Sequence, residues 1–468
     1  MKTWCLGVIL NILVFGCFGK QPPHIIFIVA DDLGWNDVGW HNPKMHTPNL
    51  DNLARQGVIL DSSYVQSVCT PSRSSLMTGL YPYHTGMQHG VIRPFEPKFL
   101  PEQFEILPQK LKNLGYSTHI IGKWHLGYCN WKYTPTYRGF DSFFGFYAGS
   151  ESYYNHTKCK NYSMSKVGST SYDFRLNEEV YHQAKGIYSA ELFSNRAIDI
   201  INEADPDSQP LYLYISFQSV HGPLEVPERF EKYYPDVIYP DRKTYSGMVS
   251  ALDEAVGNIT GALEAKGFMD NAVIVFTTDN GGKATEGGSN YPLRGNKGSL
   301  WEGGTRGVAF VHSPTLLKKS GYINTEMIHA VDWFPTLVQL AGGKPDPSLD
   351  GVNQWKTISK GLRSARDEFI YNIDNIVDKW AIRVGDYKLL YGENQDEIDT
   401  TKELRLFNLK NDPFEMEDIA EKENDKVESL MKKLNSYRDT LVPANTGVKD
   451  VLANPHQFNR DILRPGWC

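Results

Sequence analysis

Short, continuous apolar runs recur along the first three-fifths of the chain and alternate with segments of helical periodicity. A run of this kind is typical of a strand that is buried on both faces of a parallel sheet. The clearest runs predict strands over residues 24–30, 116–122, 210–217 and 271–278. Amphipathic spacing predicts helices over residues 48–57, 107–115, 188–204 and 245–266. Strands that alternate with helices predict an α/β domain with a mostly parallel sheet.

The pattern changes after about residue 350. Short segments joined by turns follow at 369–372, 379–385, 387–391 and 403–408, and a charged helical segment covers 418–437. This arrangement predicts a small antiparallel sheet covered by a helix. We therefore predict a catalytic domain over residues 20–355 and a small C-terminal α+β domain over residues 356–468.

The first residues have the pattern of a secretory signal. Lys2 gives a positive start, residues 6–18 are mostly apolar, and small residues follow at Gly16 and Gly19. The apolar run is shorter than the ~20 residues that a membrane span requires, and no later run is long enough. We predict a signal peptide over residues 1–19, entry into the secretory pathway and an extracellular or lysosomal destination.

Cysteine positions and glycosylation triplets fit that compartment. Without the signal, the chain keeps Cys69, Cys129, Cys159 and Cys468. If Cys69 is reserved for chemistry, Cys129 and Cys159 are the candidate disulfide, although spacing alone does not fix the connectivity and Cys468 has no obvious partner. The triplets that begin at Asn155, Asn161 and Asn258 predict N-glycosylation.

The overall charge limits the class of partner. The 468 residues are 41% apolar and 22% charged, with a formal net charge of −7. This balance offers no general attraction for nucleic acid or for an anionic membrane. It also disfavours a long polyanion as substrate, unless a local basic cleft binds it.

One stretch, Cys69-Thr-Pro-Ser-Arg-Ser-Ser-Leu-Met-Thr-Gly79, combines a nucleophile with an anion site. Pro71 suits the first position of a helix, so we expect Cys69 to lie just ahead of a helix N-terminus. Free N–H groups and the helix dipole favour an anion there, and Arg73 adds a guanidinium about one turn further on.

Polar residues also follow each predicted strand. Because parallel strands end at one edge of a sheet, we expect these residues to lie together at that edge. The set consists of Asp31 and Asp32, Cys69, Lys123 and His125, His221, and Asp279 and Asn280.

The acidic members of this set have the chemistry of a metal site. Asp31, Asp32, Asp279 and Asn280 offer four hard oxygen ligands. Oxygen-only ligation suits Ca²⁺ or Mg²⁺ and disfavours zinc. Residue chemistry alone does not decide between the two ions.

These motifs resemble those of the sulfatase family. The Cys-x-Pro-x-Arg stretch at 69–73 resembles the signature whose cysteine is oxidised to formylglycine in the endoplasmic reticulum. Gly-Lys-Trp-His-Leu-Gly at 122–127, Ser-Val-His-Gly-Pro at 219–223 and the stretch around Lys297 match further family motifs. Stretches at 67–73, 138–141, 218–221 and 301–304 are most similar to the arylsulfatase B (N-acetylgalactosamine 4-sulfatase-like) group.

The resemblance implies a fold and a set of roles. It implies an alkaline-phosphatase-like sandwich, one Ca²⁺ per chain and maturation by a formylglycine-generating enzyme, and it allows a homodimer. In the implied reaction, hydrated formylglycine at 69 attacks sulfur and forms a covalent sulfo-enzyme intermediate. The metal ligands are Asp31, Asp32, Asp279, Asn280 and residue 69. Arg73, Lys123 and Lys297 hold the sulfate, His221 donates a proton to the alcohol, and His125 acts as the base that releases sulfate.

The substrate and two other functions stay open. The substrate is either a sulfated sugar of the N-acetylgalactosamine 4-sulfate type or a small sulfated metabolite such as a glucosinolate. A phosphatase or phosphonate hydrolase of the same superfamily would be expected to carry Ser or Thr at position 69. A non-catalytic binding protein on this fold would be expected to have lost some of the site residues, and all are present.

Overall fold

The computed structural model of the protein describes residues 21–159, 170–393, 403–447 and 461–468. The strands are β1 His24–Ala30, β2 Val58–Leu60, β3 Ser63–Tyr64, β4 Ser117–Lys123, β5 Ser142–Phe146, β6 Thr157–Cys159, β7 Thr170–Tyr172, β8 Arg175–Leu176, β9 Glu179–Val180, β10 Leu211–Ser216, β11 Ala272–Thr278, β12 Ala309–His312, β13 Tyr322–Asn324, β14 Ile328–His329, β15 Glu368–Asp374, β16 Lys379–Val384, β17 Tyr387–Tyr391 and β18 Leu404–Asn408. The helices are α1 Pro48–Gln56, α2 Cys69–Thr78, α3 Pro82–Thr85, α4 Leu107–Asn113, α5 Ser189–Glu203, α6 Glu228–Glu231, α7 Pro240–Ala265, α8 Glu302–Thr305, α9 Trp333–Leu340, α10 Trp355–Lys360 and α11 Asn424–Arg438.

A large mixed sheet forms the centre of the molecule. Within the described ranges it has ten strands in the order β13-β2-β12-β11-β1-β10-β4-β5-β8-β9. The central strands β11, β1, β10, β4 and β5 are parallel to one another, and β12 and β8 are antiparallel to their neighbours. The predicted α/β class with a mostly parallel sheet is confirmed.

Both faces of this sheet are covered, which explains the unbroken apolar runs. In β1, Ile26 and Ile28 belong to the core layer that contains α5 and α7. Ile25, Phe27 and Val29 belong to the opposite layer, together with residues of α2, α4 and α9. Every residue of β1 is therefore buried, and successive side chains pack against different helices.

Three helix starts differ from the predictions, and one of them is in the predicted C-terminal domain, where the helix predicted from 418 begins at Asn424. The helix predicted from 245 begins at Pro240, because the proline occupies its first turn, where a missing N–H costs nothing. The helix that follows the nucleophile stretch begins at Cys69, two residues before Pro71. Cys69 is thus the first residue of α2, with Val68 as N-cap, and does not lie ahead of the helix.

The predicted C-terminal sheet consists of β15–β18, which are antiparallel in sequence order, and α11 packs against it. This sheet is not isolated from the rest of the molecule. Tyr64 and Trp301 of the larger unit share a core cluster with Tyr371 and Phe407 of the small sheet. The domain boundary between residues 355 and 356 stays a prediction.

The chain end returns to the large sheet and corrects the predicted disulfide. Cys129 is bonded to Cys468, not to Cys159, across a sequence separation of 339 residues. Ile462 forms a bridge with Tyr172, and the amides of Gly466 and Trp467 donate to the Cys129 carbonyl at 2.8 and 2.9 Å. Backbone pairing thus brings Cys468 to Cys129, and local spacing could not indicate this.

Loss of this disulfide is expected to destabilise the protein. Cys129→Ser should lower the free energy of unfolding by about 2–5 kcal/mol, because the bond constrains a very long loop of the unfolded chain. Urea unfolding measures the change, and Cys159→Ser is the matched control, expected to cost much less. Peptide mapping without reduction should recover the Cys129 peptide linked to that of Cys468. A Cys129–Cys159 link would contradict the structure.

The structure describes two of the three predicted glycosylation sites. Asn155 is exposed, and Asn258 is exposed on α7; glycosylation of both stays a prediction. Asn161 and the predicted signal peptide over 1–19 lie outside the described residues. Among the helices described, none combines the length and apolarity that crossing a bilayer requires.

Candidate active site

The chemistry-bearing residues predicted from the sequence gather at one edge of the large sheet. Asp31 and Asp32 follow β1, Lys123 ends β4, and Asp279 follows β11, so three parallel strands deliver them to the same place. Contacts of 2.6–3.8 Å then connect nine of the ten predicted residues, which are Asp31, Asp32, Cys69, Arg73, Lys123, His221, Asp279, Asn280 and Lys297. His125 lies beside this group.

Asp31 and Asp32 form the floor of the site. Both are fully buried, and Asp32 adopts the left-handed backbone conformation with φ of 61°. This conformation is costly for a residue other than glycine and is most often found at functional sites. Burial opposes the charge on Asp32, but Lys297 and His221 outweigh it and hold the pKa of that carboxyl well below its usual range.

Some of the residues expected to bind a metal form one close group, which also includes His221. Ligand atoms of Asp31, Asp32, Cys69 and His221 all lie within 4.8 Å of one another. Asn280 donates from Nδ2 to Asp32 Oδ1 at 2.7 Å, which leaves its buried Oδ1 without a hydrogen-bond partner among the described residues. A buried oxygen without a donor is an acceptor for a cation, so this donor set fits a hard divalent ion.

Cys69 lies at the centre of the group. Its Sγ contacts Asp31 Oδ1 at 3.5 Å and Lys297 Nζ at 3.6 Å. Burial, together with Asp279 and Asp31, raises the pKa of the Cys69 thiol to about 12. The unmodified side chain is therefore a protonated thiol near neutral pH and a poor nucleophile in this arrangement.

Arg73, one turn along α2, connects the strands to the helix. Its Nε and Nη2 donate to Asp279 Oδ2 at 3.1 and 2.8 Å, and Nη1 donates to the Lys123 carbonyl at 3.3 Å. Burial opposes the charge on Asp279, but Arg73 and Lys123 outweigh it and lower the pKa of Asp279. Arg73 is itself fully buried, so it acts as a fixed positive charge.

The two lysines contact different aspartates. Lys123 Nζ donates to Asp31 Oδ2 at 2.6 Å and is fully buried. Lys297 Nζ contacts both oxygens of Asp32, at 2.6 and 2.7 Å. The side chains of Lys297 and His221 are 14% and 20% exposed, so they border the open side of the site.

The two histidines differ in the nitrogen that is left free. His221 Nδ1 is bonded to the Gly222 carbonyl at 2.6 Å, and its Nε2 lies 3.8 Å from Asp32 Oδ2. Burial, together with the charge of Lys297, lowers the pKa of His221 to about 3, so the ring is neutral near pH 7 in this arrangement. His125 Nε2 donates to the Ile92 carbonyl at 2.9 Å, which leaves Nδ1 with no hydrogen-bond partner in the described part of the chain.

The spacing argument for His125 does not hold in detail. Strand β4 ends at Lys123, and His125 has a left-handed φ of 56°, so the two side chains do not share one face of an extended segment. Burial and the charges of Lys123 and Arg73 lower the pKa of His125 well below its usual value. His125 is therefore a neutral base close to these cations.

Several residues of the site carry no signal in the sequence. Ser72 Oγ bonds the Asp279 carbonyl, and Arg73 Nη1 bonds Ser216 Oγ at the end of β10. Near His125, Gly149 leaves room for the imidazole, because a Cβ there would lie 2.6 Å from His125 Cε1. Serine and glycine are common throughout the chain, so only the tertiary contacts distinguish these positions.

Two histidines that follow α2 in the chain are paired with aspartates outside the active site. His84 pairs with Asp350 at 2.8 Å, and His89 pairs with Asp374 of the C-terminal sheet at 2.9 Å. The second pair brings His89 against the small sheet, whereas Asp350 lies between α9 and α10.

The sequence family is settled by direct comparison. The family model described as Sulfatase matches residues 23–343, which is more than half of the chain. The chain belongs to the sulfatase family. A second model, described as N-sulphoglucosamine sulphohydrolase, C-terminal, matches residues 296–440. The predicted family is therefore confirmed, and the protein is a sulfatase hydrolase.

Individual relatives agree with this assignment. The chain is 43% identical to arylsulfatase J of Mus musculus over 97% of its own length and 81% of the relative. It is 27% identical to N-acetylgalactosamine-6-sulfatase of Sus scrofa, over 97% of this chain and 93% of the relative. The solved structure of Ps i-CgsB aligns with a TM-score of 0.81 and 30% identity, over 91% of this chain and 94% of the other. The finer resemblance to the arylsulfatase B group stays a prediction.

Proposed function

We propose that this sulfatase hydrolyses sulfate monoesters with residue 69 as the nucleophile, after conversion of Cys69 to formylglycine. The observation that carries the proposal is the position of Cys69 Sγ at the start of α2, 3.5 Å from Asp31 and 3.6 Å from Lys297. The hydrated aldehyde would supply an oxygen nucleophile there, which the protonated thiol does not. Three cations around the same point suit the oxygens of a sulfate group.

We propose Ca²⁺ as the resident metal, held by Asp31, Asp32, Asp279 and Asn280 together with residue 69. The free Oδ1 of Asn280 and the buried carboxylates support this choice of ligands. When bound, the ion would supply positive charge that stabilises an anionic oxygen at residue 69. The family resemblance favours Ca²⁺ over Mg²⁺.

The other side chains divide the remaining work. Arg73, Lys123 and Lys297 bind and orient sulfate oxygens, and the first two are fixed by their buried carboxylate partners. His221 Nε2, on the open side, takes a proton from solvent when substrate binds and gives it to the departing alcohol, with Lys297 Nζ as a second donor. An anionic ester beside Nε2 favours the protonated ring. His125 Nδ1 has a free lone pair and accepts a proton when sulfate is released.

The proposed substrate class is a sulfated saccharide. The relatives include N-acetylgalactosamine-6-sulfatase, and Ps i-CgsB, at 29% identity, has been solved with k-i-k-neocarrahexaose. The N-acetylgalactosamine 4-sulfate type is the first candidate, and a small sulfated metabolite such as a glucosinolate is the alternative outcome of a substrate panel.

The maturation route is part of the proposal. Cys69 would be oxidised by a formylglycine-generating enzyme in the endoplasmic reticulum, after entry through the signal at residues 1–19. The Cys129–Cys468 bond and the exposed glycosylation triplets support a secreted or lysosomal destination.

A matched pair of chromogenic esters tests the reaction class. Protein produced in a host with the maturation enzyme should release p-nitrophenol and inorganic sulfate from p-nitrophenyl sulfate. Turnover of p-nitrophenyl phosphate should be slower, because a phosphate monoester carries more negative charge than a sulfate monoester and has phosphorus in place of sulfur. Faster release of phosphate would favour the phosphatase alternative, and no release from either ester would favour a binding protein.

Removal of the metal is expected to abolish turnover and to lower stability together. Chelation leaves Asp31, Asp32 and Asp279 buried at close range with less compensating charge, and like charges in a buried site repel. We expect a fall in kcat of at least about 100-fold and a fall in Tm of several degrees. Enzyme assay and calorimetry after EGTA treatment measure both, and added Ca²⁺ should restore both. Full activity in metal-free protein would refute the metal site.

A further inference from the structure

Lys297 lies on the loop 293–304, between β11 and β12 of the large sheet, and Leu300 and Trp301 of this loop pack against the C-terminal sheet. On the side of the active site, the loop is held by two backbone bonds. Lys297 N donates to the Gly282 carbonyl at 3.2 Å, and Gly298 N donates to the Ser67 carbonyl at 2.8 Å. These bonds fix the middle of the loop, and the Ser299 amide bonds the Asn296 carbonyl within the loop at 3.0 Å, but the amides of Leu300 and Glu302 have acceptors outside it.

Two carboxylates of the C-terminal unit accept those amides. Leu300 N donates to Glu393 Oε2 at 2.9 Å, and Glu302 N donates to Glu415 Oε2 at 2.7 Å. Glu393 and Glu415 are both fully buried. A glutamate side chain is rarely fully buried unless it forms an ion pair, so each of these carboxylates requires a cation.

The C-terminal sheet supplies both cations. Lys379 of β16 contacts Glu393 Oε1 at 3.0 Å, and Lys388 of β17 contacts Glu415 Oε1 at 2.6 Å. Lys388 also contacts the Glu302 side chain at 3.0 Å. Each glutamate therefore uses one oxygen for its lysine and the other for a loop amide. This division fixes the acceptor oxygen in direction as well as in position.

The backbone conformation of Glu415 is unfavourable, which indicates that the surrounding contacts hold this residue in place. Glu415 has a left-handed φ of 60°, which costs free energy for a residue with a Cβ. Its carbonyl also accepts a bond from Arg294 Nη1 at 2.9 Å, at the start of the same loop. Glu415 thus contacts the loop on both sides of Lys297.

We propose that Glu393 and Glu415 are positioning residues, which hold the loop so that Lys297 Nζ stays on Asp32 and Cys69. The C-terminal sheet then completes the active site, although it contributes none of the residues predicted to touch substrate. This inference rests on the proposed function, because it concerns the work of Lys297. A lysine has a long flexible side chain, so its backbone must be fixed for Nζ to hold one position.

Glu393 gives the cleaner test, because its partner Lys379 is 17% exposed and can reach water when the carboxylate is removed. Glu393→Ala should lower kcat for p-nitrophenyl sulfate roughly tenfold, with KM changed less than about twofold. Glu393→Gln keeps an acceptor for Leu300 N and should recover most of kcat. Hydrogen exchange should show faster exchange of the Leu300 amide in the alanine variant only.

A double-mutant cycle with Lys297→Ala separates positioning from general destabilisation. If Glu393 acts through Lys297, the loss caused by Glu393→Ala should shrink to below about twofold in the Lys297→Ala background. Glu368→Ala is the matched control, since Glu368 lies in the same sheet but bonds Lys433 and Tyr437. It should leave kcat unchanged.

Two results would overturn the proposal while leaving the proposed function intact. One is active wild-type protein whose Glu393→Ala variant keeps full kcat. The other is an equal loss with and without Lys297. If the wild-type protein itself releases no sulfate, the proposed function has failed, and the positioning role fails with it.

Discussion

Replacing Cys69 with alanine is expected to lower kcat for sulfate-ester hydrolysis by at least about 10⁴-fold, because the nucleophile of the reaction is removed. The fold should be retained, since Cys69 Sγ makes two long contacts and α2 is held by other residues, among them Arg73 and Ser72. Release of p-nitrophenol and inorganic sulfate measures the loss, and near-native thermal unfolding would show that the protein is intact.

Two further variants on the same helix make the result specific. Ser75 is buried on α2 and its Oγ has no hydrogen-bond partner among the described residues, so Ser75→Ala should leave both kcat and stability close to wild type. Cys69→Ser keeps a hydroxyl but not the substrate of the maturation enzyme, and we expect it to be nearly inactive. The mass of the peptide that contains residue 69 should correspond to formylglycine in the wild type. Wild-type turnover with an unmodified cysteine would contradict the proposed nucleophile.

Replacing Arg73 with methionine is expected to give the largest loss of stability among the site variants. The guanidinium donates twice to Asp279 and lies 3.8 Å from Asp31, and all three side chains are buried. Methionine keeps most of the apolar volume but leaves Asp279 without its main fixed cation, whereas Asp31 keeps Lys123 at 2.6 Å. Removing one partner of a buried ion pair typically costs about 3–5 kcal/mol, and we expect a decrease of this size in urea unfolding.

The same substitution should also impair the reaction. Loss of a fixed positive charge at the sulfate site should lower kcat/KM by at least about 100-fold. Arg73→Lys restores the charge without the planar fork and should recover stability only in part. Arg55→Ala, which breaks an exposed pair with Asp51, is the control and should cost less than about 0.5 kcal/mol. A cost below about 1 kcal/mol for Arg73→Met would show that the pair with Asp279 is not important for stability.

The network around Glu393 and Glu415 adds a second class of residue to the site. Arg73 and Lys123 are fixed by carboxylates within the site itself, whereas Lys297 depends on a loop that the C-terminal sheet holds. Substitutions that remove Glu393, Glu415 or the lysines paired with them should therefore affect turnover as well as stability. This view also gives the buried Lys388 a function in the reaction rather than in the core alone.

The central fold and the convergence of the site were predictable from local patterns. A strand covered on both faces must be apolar along its whole length, as in β1 and β11, and parallel strands necessarily end at one edge. The positions of Asp31, Lys123 and Asp279 follow from these two facts. The same argument placed Cys69 and His221 at that edge, and the family motifs added Lys297; the structure shows contacts of all three with the same group.

Local patterns were less informative where the chain leaves regular structure. The spacing of Lys123 and His125 predicted an extended segment, but a left-handed residue redirects His125 toward Ile92. The proline at 71 predicted a later helix start than the one observed at Cys69. His125 is redirected by its own backbone conformation, whereas Pro71 is tolerated within the first turn of α2, where the N–H groups have no partner inside the helix.

By itself, the sequence determined the class of fold, the edge of the sheet at which the chemistry lies, and the family. Each depends on residues close together in the chain or on the periodicity of burial. Only the tertiary structure decided that Cys129 pairs with Cys468, that Asn280 Oδ1 is left free, and that Glu393 and Glu415 hold the loop of Lys297. These contacts join residues that are far apart in the chain or depend on which polar atoms burial leaves unpaired, and no local pattern distinguishes two such glutamates from the other acidic residues.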